Sequence, residues 1–307
     1  MKKPTNKQKY LKIDPTRTKT LRTKFEGQMY KRLSKLKGLI QKSIVQNDAL
    51  ALKTNAELPR RAFEFRTLDE KHVLFMEWLR EQERLGILEI SRVPLVGGGR
   101  EWTQTFIQSA YQKGILRARQ ELRKQGVDTP EFTGAGIDDS VGVAFNMPVH
   151  SERAQLIYSR VFTELQGITS QMDAAISREL AQGMIEGQSP RVIARRLNKE
   201  VDIGIMRSRR LARTEVVRAH HSAMMAEYRM LGAEGVEIMT EFLTAGDGKV
   251  CIQCASLAGK RFTLDEAENL IPVHPNCRCT AIPVVEDQIK NDPFQTPEEI
   301  KKIAGLD

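Results

Sequence analysis

Residues 244–285 read T-A-G-D-G-K-V-C-I-Q-C-A-S-L-A-G-K-R-F-T-L-D-E-A-E-N-L-I-P-V-H-P-N-C-R-C-T-A-I-P-V-V and hold all four cysteines of a 307-residue chain. Cys251 and Cys254 have two residues between them, a spacing that lets one tight turn aim both sulfurs at a single ion. The segment His274-Pro275-Asn276-Cys277 repeats that spacing with a histidine in the first place. Two such turns supply soft ligands for a tetrahedral site of the kind zinc prefers. Cys279 follows Cys277 at i+2, so in an extended chain both sulfurs share a face. The site therefore reads either as three thiolates plus His274 with a spare thiol, or as four thiolates with His274 in support. Two plainer readings stay open beside it: disulfides, and buried free thiols acting as small hydrophobes. No open coordination position is evident, so a bound zinc is expected to be structural, its binding energy serving as folding energy for a patch too small to build its own core.

Working outward, β-rich runs at 236–243, 261–264 and 279–285 predict a small sheet around this cluster. Everything upstream has helical periodicity. After Asp14 and Pro15, the residues Leu21, Phe25, Met29, Leu33, Leu36, Ile40 and Ile44 recur every three or four positions. Thr67 with Glu70 is a capping-box signature for a helix over 67–89, and Trp78 within it reads as core. Pro94 and the glycines at 97–99 predict a loop, 101–125 another amphipathic helix, and 126–149, with its prolines and glycines, a long connection. A long helix is expected from Ser151 to a close at Gly187. A short helix then restarts at Ser189 and Pro190, and a further one runs over 206–231 to a C-cap at Gly232. Thr296, Pro297, Glu298 and Glu299 predict the cap of a short terminal helix. The fold class is mainly α with a small C-terminal α+β subdomain, in which a short sheet surrounds the Cys/His cluster. The sequence divides into a basic arm and helix (1–47), a helical region with long loops (48–150), a domain over 151–286 containing the cluster, and a tail (287–307).

The net charge of +9 is concentrated in one segment. Residues 1–42 carry 14 Lys and Arg against only Asp14 and Glu26, and the remainder is slightly acidic. Such a segment attracts polyanions by neutralising phosphates and releasing counterions. The candidate contacts are Lys2, Lys3, Lys7, Lys9, Lys12, Arg17, Lys19, Arg22, Lys24, Lys31, Arg32 and Lys35. Aromatic residues are few there, so backbone attraction to double-stranded DNA is expected without base readout. A charged face with no ligand is the alternative. No run of eighteen apolar residues occurs, so no membrane span or membrane partner is expected. The basic start lacks the apolar core of a secretory signal, which predicts synthesis in a reducing cytoplasm.

A helix carrying A-R-T-E-V-V-R-A (212–219), then T-A-G-D-G-K-V-C-I-Q-C-A-S-L-A-G-K, then P-V-H-P-N-C-R-C, resembles the Mu F-like head morphogenesis (minor head protein) family of tailed bacteriophages. By matching position, the signature residues are Arg213, Thr214, Glu215, Asp247, Cys251, Cys254, His274, Pro275, Cys277 and Cys279. The resemblance covers roughly 151–286. It implies a non-enzymatic protein of the virion, in the head interior or near the portal, supporting head assembly and DNA packaging or delivery. The partners it implies are the portal protein and the major capsid or scaffolding protein.

Other function classes are weaker. No G-x-x-x-x-G-K-[ST] occurs, which argues against an ATP-driven motor, and no H-E-x-x-H, which argues against that class of zinc protease. An HNH-type nuclease stapled by zinc is the enzyme alternative, because cysteine pairs flank His274 and Asn276; it lacks a second nearby histidine. A DNA-binding zinc protein outside any virion is the non-enzyme alternative. Arg213 and Glu215 could form a catalytic pair but read better as a satisfied polar anchor. Adjacent His220 and His221 point to different helix faces and do not readily serve one metal.

Overall fold

The computed structural model describes residues 14–50, 67–89, 102–129, 137–232 and 238–285, with no side-chain description for 137–140. In chain order these form α1 (Lys19–Gln41, continued by a π-helical turn, Lys42–Gln46), α2 (Leu68–Gly86), α3 (Trp102–Lys124), α4 (Ile137–Phe145), α5 (Pro148–Ile185), α6 (Pro190–Gly232), β1 (Ile238–Leu243), α7 (Ile252–Leu257), β2 (Arg261–Phe262), α8 (Leu264–Glu268) and β3 (Thr280–Val285). The architecture is mainly α, with one small antiparallel sheet near the C-terminal end beside the Cys/His cluster. The loop expected at 97–99, five of the arm lysines and the terminal cap at 296–299 lie outside the described residues. The chain forms two compact units. One comprises Met1–Leu21, Ile107–Ile157 and Thr214–Asp307, and the other Arg22–Phe106 and Tyr158–Arg213.

In the second of these units α1 is a core element. Phe25, Met29, Leu33, Leu36 and Ile40 are buried at the expected helical spacing, and Ile44 extends the stripe through the π turn. The Phe25 ring stacks on Phe106 at 4.6 Å and meets Trp102 edge-on at 5.7 Å. At the start of α2, Thr67 accepts from the Glu70 backbone N–H while the Glu70 side chain returns the bond to the Thr67 N–H, so the capping box forms as read. Helix α5 ends in a Schellman turn: Gly187 is left-handed (φ 62°), and the Gln188 N–H reaches the Gly183 carbonyl at 2.9 Å.

Two expectations need correction. The separate helices expected after Pro190 and from 206 are one continuous helix, α6, because nothing after Pro190 interrupts it. Gly204 does not break it; a Cβ there would meet the Met172 sulfur at 2.9 Å, so the glycine serves close packing instead. The connection over 126–149 is not wholly irregular. Gly142 lies inside α4, and Pro148 starts α5 as its first helical residue, where its missing N–H is not needed.

In the other unit, α3 lies against the C-terminal half of α6 at Gly114. A Cβ on this residue would fall on the His220 carbonyl oxygen and come within 2.6 Å of the Ala223 Cβ. Nearby is a buried polar chain. Arg119 donates to both carboxylate oxygens of Glu227 (2.7 and 3.0 Å), His150 Nε2 lies 3.0 Å from that carboxylate, and Tyr111 approaches His150 Nδ1 at 3.3 Å. Burial opposes ionisation of Glu227, but the bonds from His150 and Arg119 outweigh it and hold the carboxyl below its ordinary value. The sheet has strand order β2-β1-β3, with Thr240 opposite Phe262 on one side and opposite Pro283 on the other. Pro283 is tolerated because β3 is an edge strand. The Gln125 side chain, just past α3, holds that edge, donating to the Pro283 carbonyl and accepting from the Val285 N–H.

In the unit built on α1, Glu83 and Asp173 bring two carboxyls together. Burial first, and then the Asp173 charge and hydrogen bond, push the Glu83 carboxyl up to about 9. Glu83 is thus neutral in the folded protein where the unfolded chain has already ionised it. Its stabilising contribution is complete below the ordinary carboxylate range and is lost as pH rises through about 9. Melting temperature should fall from pH 5 to 9 in the parent protein, and Glu83→Gln, neutral throughout, should flatten that fall. Parallel profiles for the two proteins would contradict the protonated assignment.

Candidate metal centre

Two short turns present the cluster, and each is fixed by local chemistry. In the first, Asp247 accepts from the Lys249 N–H through its side chain (3.1 Å) and from the Val250 N–H through its backbone (3.1 Å). This delivers Cys251 to the N-cap of α7, where its sulfur accepts from the Cys254 N–H at 3.4 Å. In the second, Asn276 is left-handed (φ 65°), the Cys277 N–H bonds back to the His274 carbonyl at 3.1 Å, and the Asn276 N–H donates to Thr214 Oγ1 of α6 at 3.0 Å. Arg278 then clamps Asp247 with two bonds of 2.6 and 2.7 Å, joining the turns to one another. This bond holds the Asp247 carboxyl down at about 2.

The ligand atoms form two overlapping groups, Cys251 with Cys254 and His274, and Cys254 with Cys277 and Cys279. Within each group all atoms lie within 4.8 Å of one another, and Cys254 belongs to both. His274 Nε2 is 3.2 Å from the sulfurs of both Cys251 and Cys254. Its Nδ1 lies 2.8 Å from the Pro275 carbonyl, which can only accept, so the proton sits on Nδ1 and the Nε2 lone pair faces the sulfurs. All four cysteines are free thiols rather than disulfides. Cys254, Cys277 and Cys279 are buried and continuous with the apolar core made by Leu122, Met224, Met225, Tyr228 and Phe242.

Without a cation these thiols cannot all ionise together. The Cys279 thiol donates to Cys277 and, with backbone N–H groups, pulls it down to about 5. That same bond, together with burial, drives Cys279 far upward. Burial, and then the charge of Cys277, push Cys254 up to about 12. A divalent ion reverses this order, since it binds thiolates and releases their protons. The cluster therefore has the donor set and spacing to hold a metal ion.

Other sequence-singled residues fall elsewhere. Arg213 pairs with Glu26 at 3.0 Å and Glu215 with Arg218 at 3.2 Å, so each has a charged partner other than its neighbour. His221 is buried with Nε2 at 2.8 Å from the Ala267 carbonyl, and burial pushes it down to about 4; His220 is also buried. Of the basic residues read as DNA contacts, Lys2, Lys3, Lys7, Lys9 and Lys12 lie outside the described residues. Arg17, Lys19, Lys24, Lys31 and Lys35 are exposed, whereas Arg22 is buried. Arg32 donates to the Gly86 carbonyl (2.7 Å) and Glu89 (3.0 Å) and lies 4.3 Å over the Trp102 ring. Sequence reasoning missed the Arg278 clamp and the Thr214 anchor, because both bring together residues more than thirty positions apart.

Residues 174–282 match the family described as phage Mu protein F like protein. That segment contains Thr214, Asp247, Arg278 and all five candidate ligands. A curated protein, NAD(+)–arginine ADP-ribosyltransferase EFV of Enterococcus faecalis (strain ATCC 700802 / V583), is 25% identical over 171 residues, covering 49% of this chain and 35% of that protein. The chain thus spans about a third of that relative's length. No solved structure matches the chain.

The metal reading makes a graded prediction. Protein purified under reductant should carry one metal ion per chain, and a strong chelator should lower its melting temperature. Cys254→Ser should lose the ion most completely, because Cys254 is the one donor that belongs to both groups. Metal-free protein with an unaltered melt would refute it.

Proposed function

We propose, from the phage Mu protein F like segment at 174–282, that this is a minor head protein of a tailed bacteriophage. The family match carries the reading and supports a role in phage head morphogenesis. In this reading the protein resides in the virion, inside the head or near the portal, after synthesis in the host cytoplasm. It binds the portal protein and the major capsid or scaffolding protein, and assists assembly and the packaging or delivery of DNA. Among the described residues, no helix is long and apolar enough to cross a membrane. The cluster holds a structural zinc: soft sulfur and imidazole donors suit that ion. Its burial in an apolar core suits a fold-fixing role rather than an open reactive position.

The basic first 42 residues supply the DNA contact in this reading, through phosphates and without base readout. Removing all of them is the wrong test, since α1 provides the core residues from Phe25 to Ile40. Neutralising the five lysines before Asp14 avoids that difficulty.

The protein is proposed to be non-enzymatic. A nuclease of the HNH type needs a histidine free to act as base, and both His274 ring nitrogens are engaged, by sulfur and by the Pro275 carbonyl. The ADP-ribosyltransferase relative shares only a third of its length with this chain, so its printed activity is a separate question to be measured.

Heads purified from infected cells and treated with nuclease should retain the protein, at a fixed low number of copies per portal counted by mass spectrometry. Incubation with labelled NAD+ and an arginine-containing acceptor should transfer no label. Infectious heads lacking the protein would overturn the head assignment, and label transfer would overturn the non-enzymatic one.

A further inference from the structure

The head-protein reading leaves unused a basic concavity in the unit built on α1. It encloses about 680 Å³ and is lined by Lys37 of α1 and by Arg191, Arg195, Arg196, Lys199 and Asp202 of α6. Two of its cations are already neutralised. Lys37 binds both oxygens of Asp202 at 2.8 and 2.9 Å, and Arg196 is held by Glu179 at 2.5 Å and Glu186 at 3.3 Å. Arg191, Arg195 and Lys199 are exposed and have no carboxylate partner among the described residues.

These three are spaced four residues apart, so they stand in a row on one face of α6, each about 6 Å further along the axis. Like charges at that spacing repel and weaken a helix. Packing does not require them, because the buried side of this stretch is made by Ile193, Ala194, Leu197 and Val201. The concave wall concentrates their field.

We infer that this row seats the phosphodiester backbone of duplex DNA, as a second contact separate from the N-terminal arm. A line of three uncompensated cations matches a linear polyanion, whereas a single phosphate would engage only part of it. Among the described residues no aromatic ring lines the concavity, so bases are not stacked and binding is independent of sequence. The inference rests on the proposed placement of the protein beside packaged DNA, but on different residues from the arm.

The test uses the full chain and a labelled mixed-sequence duplex of about 20 base pairs, titrated across a salt series. Arg191→Gln/Arg195→Gln/Lys199→Gln should bind about tenfold or more weakly, and its log K against log salt slope should shrink by about 2 to 3, each phosphate contributing about 0.9. Its melting temperature should hold or rise slightly, since all three side chains are exposed and their mutual repulsion is removed. Lys113→Gln/Arg178→Gln/Lys260→Gln removes the same charge from exposed positions elsewhere and should have little effect. Equal losses in the two triple variants would overturn the inference. So would competition by polyglutamate or inorganic phosphate as effective as that by unlabelled duplex at equal charge. A variant with Lys2, Lys3, Lys7, Lys9 and Lys12 changed to Gln separates the two contacts. Retained affinity there, with loss in the α6 triple, sinks the arm reading and keeps the groove; the opposite pattern sinks the groove.

Discussion

Four thiols and an imidazole crowded into one corner of a hydrophobic core impose the constraint on which the C-terminal part of this protein depends. Negative charge cannot accumulate on neighbouring buried sulfurs, so in isolation the thiols divide into ionised and protonated partners held by hydrogen bonds, as Cys277 and Cys279 do. A cation removes that conflict. The surrounding structure is arranged to keep the donors where such an ion would need them. Thr214 anchors one turn to α6, Arg278 locks the other through Asp247, and the Pro275 carbonyl fixes which imidazole nitrogen carries the proton. A three-stranded sheet, one strand of which is only two residues long, has little apolar area to offer, and the sulfurs supply part of the missing core.

The other unit solves a different problem. Its first helix faces two ways, with an aromatic and aliphatic stripe buried and lysines at 24, 31 and 35 exposed. Basic charge at these positions is thus carried on a core-forming helix. Within the same unit the exposed edge of α6 carries its own row of cations.

How much of this could be read from the sequence depended on whether the signal was local. The capping box at Thr67, the stripe from Phe25 to Ile44 and the three β runs were legible because each is set by residues a few positions apart. The cysteine spacing likewise announced the cluster. The continuity of α6 was not legible, because Gly204 looks like a weak point until its close contact with Met172 is known. Helix α4 was hidden by Gly142 and by flanking prolines that suggest a loop. At the site, the roles of Thr214 and Arg278 depend on tertiary contacts that no local pattern encodes. The row at Arg191, Arg195 and Lys199 has an i, i+4, i+8 pattern, but its charge is small beside the imbalance of the first 42 residues, and only the fold shows that it lines a concavity.

The contact at Gly114 has a consequence for how this sequence can drift. A hydrogen atom is the largest substituent that fits beneath the His220 carbonyl, so even alanine would have to push two helix backbones apart. Most core positions can exchange one hydrocarbon shape for another with modest repacking. Position 114 has no such neighbouring solutions, and random variation passing through a functional screen should leave that codon fixed while solvent-facing sites such as Ile252 wander freely.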